Sequence, residues 1–114
     1  MSEYKLKRHE IEKLGITTNN TQVEWIPQNS GGEHIIVTLH STDIVKIEMH
    51  QNSGGHSWTD IYLDSGGYNT TTTRRRMNEV SQAFGLGFRV YSKKHQLHVE
   101  HKGMIEAFNE KISL

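Results

Sequence analysis

Two stretches of strict alternation constrain this chain more than anything else in it. In residues 33–40, Ile35, Val37 and Leu39 share one face while His34, Ile36, Thr38 and His40 share the other. In residues 43–50, Val45, Ile47 and Met49 point one way and Lys46, Glu48 and His50 the opposite way. A period of two is the mark of a half-buried strand. Only Ser41 and Thr42 stand between the two runs, so they predict a tight hairpin with one greasy and one polar face.

The rest of the chain is read around that hairpin. Residues 22–26 (Gln-Val-Glu-Trp-Ile) form a further short strand, stopped by Pro27, the chain's one proline. Residues 58–63 form another, with Ile61 and Leu63 inward and Asp60 and Tyr62 outward. Residues 88–91 and 97–101 read as a closing hairpin around Lys93, Lys94 and His95. Met104 to Phe108 is a short apolar element of undecided type. Two segments change period. Tyr4, Lys7, Ile11 and Leu14 follow a helical spacing that Gly15 ends. Met77, Val80, Ala83 and Phe84 do the same before Gly85, with Asn78, Glu79 and Gln82 facing away. The prediction is an α+β fold: one small domain over residues 1–114, a mostly antiparallel sheet, an N-terminal helix and one internal helix at about 73–85. Because its apolar stripe is thin, the N-terminal helix (within 1–16) must dock on the sheet or serve as a separate contact element.

Size and composition narrow the class. The chain has 114 residues, no cysteine, and 13 basic residues against 13 acidic ones. Without thiols there is neither a disulfide framework nor a thiolate metal site. A neutral chain has no global field for polyanions, so any anion affinity must be local. No apolar run is long enough to span a membrane, and residues 1–9 lack the core of a signal peptide, so a cytoplasmic protein without membrane attachment is expected. Nothing in the chain calls for a cofactor.

The local candidate is Gly66-Gly67-Tyr68-Asn69 followed by Thr70 to Thr73 and Arg74 to Arg76. Small residues, hydroxyls, guanidiniums and a helix start are the ingredients of a phosphate site. Backbone amides of Gly66 and Gly67 would meet the anion, Thr72 or Thr73 would cap the helix or bind phosphate, Arg74, Arg75 or Arg76 would neutralise charge, and Tyr68 would stack. The competing reading is a turn, a threonine cap and a solvated arginine face. The position of the cap separates them. With Thr73 as cap the arginines sit in the first turn, each opposing the helix dipole by about 0.3–1 kcal/mol; with Thr70 they move to the second. Four β-branched residues in a row favour the later start. The spacing matches neither a Walker loop nor a dinucleotide fingerprint.

Three further patterns are weaker. Gln28-Asn-Ser-Gly-Gly32 recurs as Gln51-Asn-Ser-Gly-Gly55 at unequal spacing from a third, shorter copy at Asp64; this is turn chemistry rather than a solenoid. His34, His40, His50 and His98, with Glu48 and Glu100, project from polar strand faces. No spacing gathers them, so a scattered solvated face is expected and no metal site is assigned. Tyr62, Tyr68, Arg89, Tyr91, Lys93 and Lys94 could stack and hold bases, but the signature of a sheet-surface RNA reader is missing.

Gly66-Gly-Tyr-Asn-Thr-Thr-Thr-Thr-Arg-Arg-Arg-Met-Asn78 and Phe84-Gly-Leu-Gly-Phe-Arg-Val90 resemble a motif of small proteins encoded by tailed bacteriophages. Arg74 stands where those proteins usually have Lys, and Tyr68 where they often have Trp. The likeness covers roughly residues 37–99 and leaves the N-terminal helix outside. It implies a viral origin and a host bacterial cytoplasm, not a mechanism. The resulting expectation is a non-enzymatic accessory protein that counters host defence, binding a host defence protein, a nucleotide signal or nucleic acid through the Gly66 to Arg76 loop. The alternatives are a small nuclease or phosphodiesterase using histidines such as His34, His40 or His98, and a structural module that forms homo-oligomers through its sheet edges.

Overall fold

In the computed structural model, which describes residues 4–27 and 32–114, nine strands and two helices follow one another. The order is β1 (Tyr4–Lys5), α1 (Arg8–Lys13), β2 (Thr21–Pro27), β3 (Glu33–Leu39), β4 (Thr42–Gln51), β5 (Ser57–Asp64), α2 (Thr71–Ala83), β6 (Phe88–Lys93), β7 (Gln96–His101), β8 (Met104–Phe108) and β9 (Lys111–Ser113). All pairings are antiparallel. One sheet runs β1-β2-β3-β4-β5-β9 and the other β6-β7-β8. The fold is α+β and mostly sheet, as the alternation predicts.

The central hairpin forms with Leu39 opposite Thr42, so the turn residues are His40 and Ser41 rather than Ser41 and Thr42. Its register shifts once. Val37 pairs with Val45 but Thr38 with Asp43, which leaves Ile44 as an extra residue. Such a bulge re-aims a side chain, and Ile44 and Val45 are consequently both buried. Ile35, Val37, Leu39, Ile47, Ile61 and Leu63 fill the inner face. Met77 and Val80 from α2 and Phe88, Val90, Leu97, Val99 and Phe108 from the second sheet join the same core.

The two helices differ from the sequence reading in different ways. Residues 4 and 5 form an edge strand on Trp25 and Glu24, and α1 keeps only six residues. An eleven-residue polar helix gains little alone, whereas two residues on a sheet edge gain ladder bonds at once. Glu10 reaches back to the Lys7 amide at 2.9 Å and caps what remains. Ile11 and Ile16 are buried in the core, so this element packs on the domain. Met104 to Phe108 is a strand. At the internal helix, Thr70 is the N-cap: its backbone is extended (φ −107, ψ 155) and its hydroxyl accepts from the Thr73 amide at 3.1 Å. The β-branched penalty comes from crowding against a preceding turn. Thr71, Thr72 and Thr73 open the helix and have no preceding turn, so they are tolerated there.

Candidate functional site

The early helix start decides where the arginines go. Arg74, Arg75 and Arg76 lie in the second turn and diverge. Arg74 bonds Asn69 Oδ1 and, at 3.2 Å, Thr71 Oγ1. Arg75 is exposed, and with Arg74 it lines a shallow groove between α2 and β6. Arg76 is only 4% exposed; its guanidinium meets Glu79 Oε1 at 2.9 Å, which also accepts from the Thr17 amide at 2.9 Å. Burial pushes the Glu79 carboxyl up, but the Thr17 amide and hydroxyl and the Arg76 guanidinium outweigh it and hold it below the ordinary carboxylate value. Arg76 thus pins α2 to the segment after α1 through Glu79.

The glycines are also committed. Gly66 and Gly67 both have positive φ, 66 and 85. The Gly66 amide donates to Asp64 Oδ1 at 2.8 Å and the Gly67 amide to Ser65 Oγ at 3.2 Å. The anticipated backbone nest therefore has both donors occupied within its own turn. A Cβ on Gly66 would fall 2.8 Å from Thr42 Oγ1, so the turn lies hard against the start of β4.

Thr42 from that contact lines a cleft of about 400 Å³ together with Leu39, His40, Ser41, Ile44, Ser65, Tyr68, Thr70, Thr72 and Thr73. Six of these residues are serines or threonines, and Tyr68, 63% exposed, stands at the rim. The cleft faces the start of α2. With Thr73 capped and the Arg74 amide bonded to Thr70 O, the amides of Thr71 and Thr72 have no intrahelical acceptor. Sequence reasoning placed Gly66, Gly67, Tyr68, Thr72 and Thr73 in one segment; the turn residues His40 and Ser41 opposite them become neighbours only through the fold.

The histidines divide. His98 stacks on Tyr91 in the second sheet, with ring centroids 5.4 Å apart, and His40 sits in the β3–β4 turn. On the outer face of the large sheet, however, strand register gathers what the sequence scatters. His34 faces Glu48, Glu48 faces Asp60, and His50 lies one row along. His50 Nε2 is 3.2 Å from Asp60 Oδ2 and 3.6 Å from Glu48 Oε1. The expectation of an ungathered face is corrected here for these residues. The aromatic and basic set stays dispersed: Lys46 lies over Tyr62 at 5.8 Å, and Arg89 over Tyr91 at 4.8 Å, at separate places.

The family follows from comparison. A model of the Kyanoviridae Gp96 protein family matches residues 6–114. The chain belongs to that family. Kyanoviridae Gp96 proteins are cyanophage proteins, so the viral origin implied by the motif holds, and the match extends beyond residues 37–99 to take in α1 and the C-terminal strands. No curated protein and no solved structure matches the chain. Among the described residues, no helix is long and apolar enough to cross a membrane.

Proposed function

We propose that this protein is a non-enzymatic phage accessory protein that works by binding, and that its contact site is the hydroxyl-lined cleft at the start of α2. The observation that carries this reading is the cleft's composition: six serine and threonine residues, among them Thr72, whose helix-start amide has no intrahelical acceptor, beside an exposed tyrosine. Helix-start amides and hydroxyls favour a compact anion. A phosphate group fits that chemistry, presented by a nucleotide signal or by nucleic acid, and so does an acidic side chain of a host defence protein. Tyr68 can stack on a base or pack on an apolar surface. Arg74, held beside the helix start by Asn69 and Thr71, adds positive charge without entering the cleft. The host bacterial cytoplasm is the setting that a phage protein of this kind would act in, and countering host defence is the role that fits binding without turnover.

The test is titration calorimetry with inorganic phosphate, mononucleotides, cyclic dinucleotides and short oligonucleotides against wild type, Thr72→Val and Tyr68→Ala. Thr72 is exposed, and Val keeps its shape while removing its hydroxyl. Phosphate-bearing ligands that bind wild type and weaken in Thr72→Val support the reading. Binding that is absent throughout, or unchanged in both variants, overturns it.

A further inference from the structure

The outer face of the large sheet carries a second site, some distance from the cleft. Thr42 in the cleft and Glu48 on the outer face are six residues apart on one strand, or roughly 20 Å at the usual rise. We propose that Glu48, His50 and Asp60 bind a divalent transition-metal ion, zinc or manganese.

Geometry comes first. One donor atom from each residue lies within 4.8 Å of the others. Donors about 2.0–2.2 Å from a shared tetrahedral ion stand roughly 3.3–3.6 Å apart, close to the 3.2 and 3.6 Å that separate His50 Nε2 from Asp60 Oδ2 and Glu48 Oε1. All three side chains rise from adjacent, fully paired strands, since Glu48 and Asp60 are direct cross-strand partners and His50 is next on the same face. The backbone therefore presents the donors without needing a loop to close.

The histidine supplies the sharper argument. Its Nε2 is buried from solvent and has no hydrogen-bond partner, although carboxylate oxygens lie 3.2 and 3.6 Å away. A neutral imidazole lone pair held between two carboxylates is repulsive, and an Nε2–H pointing at neither oxygen leaves a donor unused. A cation between the three atoms satisfies all of them. The His50 ring is held for that role: Trp58 stacks on it at 5.1 Å with planes 19° apart, and His34 meets it edge-on at 6.1 Å.

Outer contacts agree. Lys46 Nζ holds Glu48 Oε2 at 3.0 Å, leaving Oε1 turned toward His50. A cation bound to the far oxygen of a ligating carboxylate is the kind of support that fixes ligand orientation. One imidazole with two carboxylates suits zinc or manganese rather than calcium or magnesium, which take oxygen alone, or copper(I), which prefers sulfur. Three protein ligands leave a coordination position open beside His34 and the exposed Trp58, where water or a partner's donor can bind.

The experiment is titration of the purified chain with Zn²⁺, Mn²⁺ and Co²⁺, read by calorimetry, by Co²⁺ absorption, and by histidine nitrogen NMR. The expected result is a single ion per chain, a shift confined to His50 Nε2, and an affinity loss of roughly tenfold or more in each of His50→Gln, Glu48→Gln and Asp60→Asn. His98→Gln, on the other sheet, should bind as wild type. Three separate variants on a solvent-facing surface guard against one that misfolds, and a thermal melt of each checks this. No binding, binding that survives His50→Gln, or a His50 ring found as imidazolium in the presence of saturating Zn²⁺ overturns the proposal.

Discussion

Asn78 binds both backbone groups of Val90: its Nδ2 donates to Val90 O at 2.9 Å and its Oδ1 accepts from Val90 N at 2.7 Å. Three residues on, the Ser81 hydroxyl donates to Phe88 O at 2.7 Å and accepts from Phe88 N at 3.0 Å. Phe88 and Val90 are alternate residues of β6, so their peptides face the same edge, and two side chains of one helix take the place of a neighbouring strand. Asn69 extends the line, donating to Ser92 Oγ and His95 O at 3.1 Å. The helix thereby closes an edge that would otherwise be open to another chain.

Replacing Asn78 by Ala should accordingly destabilise the fold by about 1–3 kcal/mol, the cost of stranding a buried peptide's donor and acceptor. Asn78→Asp should fall between, since it keeps the acceptor and loses the donor. Gln82→Ala, on the exposed side of the same helix, should stay within about 0.5 kcal/mol of wild type. Urea unfolding monitored by circular dichroism would rank the three, and equal costs for Asn78→Ala and Gln82→Ala would refute the strand-mimic role.

Asn78 also shows where sequence reading stops. The helical period correctly assigns Met77 and Val80 to the core, because apolar burial repeats with the helix. It assigns Asn78 to the outside by polarity alone, and polarity cannot report a side chain that buries itself on a single strand peptide. The strands were legible wherever one face is apolar, as at Ile35, Val37 and Leu39. The bulge at Ile44 was not, since an extra apolar residue beside Val45 breaks no pattern. Likewise Glu48, His50 and Asp60 are two residues and ten apart in sequence, and only the β4–β5 register makes them neighbours. The start of α2 was misplaced because a general penalty on β-branched residues does not apply in a first turn.

The ion pair between buried Arg76 and half-buried Glu79 predicts both a mutational and a pH effect. Arg76→Ala leaves Glu79 half-buried with its two Thr17 hydrogen bonds and should cost roughly 1–3 kcal/mol. The Glu79 carboxyl has a lowered folded pKa. Its contribution is therefore fully present above the ordinary carboxylate value of 4.5 and is lost as pH falls through the lower folded value. Wild type should lose stability over that acid window, and Glu79→Gln should lose less across it while starting from a lower plateau. Chemical denaturation repeated from neutral pH to below pH ~4 gives both curves, and parallel acid limbs would count against the assignment.

Gly66→Ala separates strain from collision. Its φ of 66 is costly for any residue with a Cβ, and that Cβ would sit 2.8 Å from Thr42 Oγ1 and 3.1 Å from Thr42 Cγ2. The substitution should cost more than about 1 kcal/mol. Combining it with Thr42→Ala should recover the steric part and leave the conformational part of about 1–2 kcal/mol. A double-mutant cycle on unfolding free energies measures this, and strict additivity of the two changes would show that the turn does not press on β4.

The last prediction concerns the β6–β7 turn, where Lys94 and His95 both hold positive φ, 53 and 65. A two-residue hairpin loop with both residues in that region is the turn type that Asn-Gly fills without strain. Lys94→Asn with His95→Gly should therefore stabilise the protein, by about 0.5–1 kcal/mol or more. The Asn69 bond to this loop is made to the His95 carbonyl, which the substitution keeps. The Thr70 cap and the cleft beside it should be unaffected, so phosphate titrations should match wild type while the thermal midpoint rises. A fall in the midpoint would mean that the Lys94 or His95 side chain makes a stabilising contact larger than the strain it relieves.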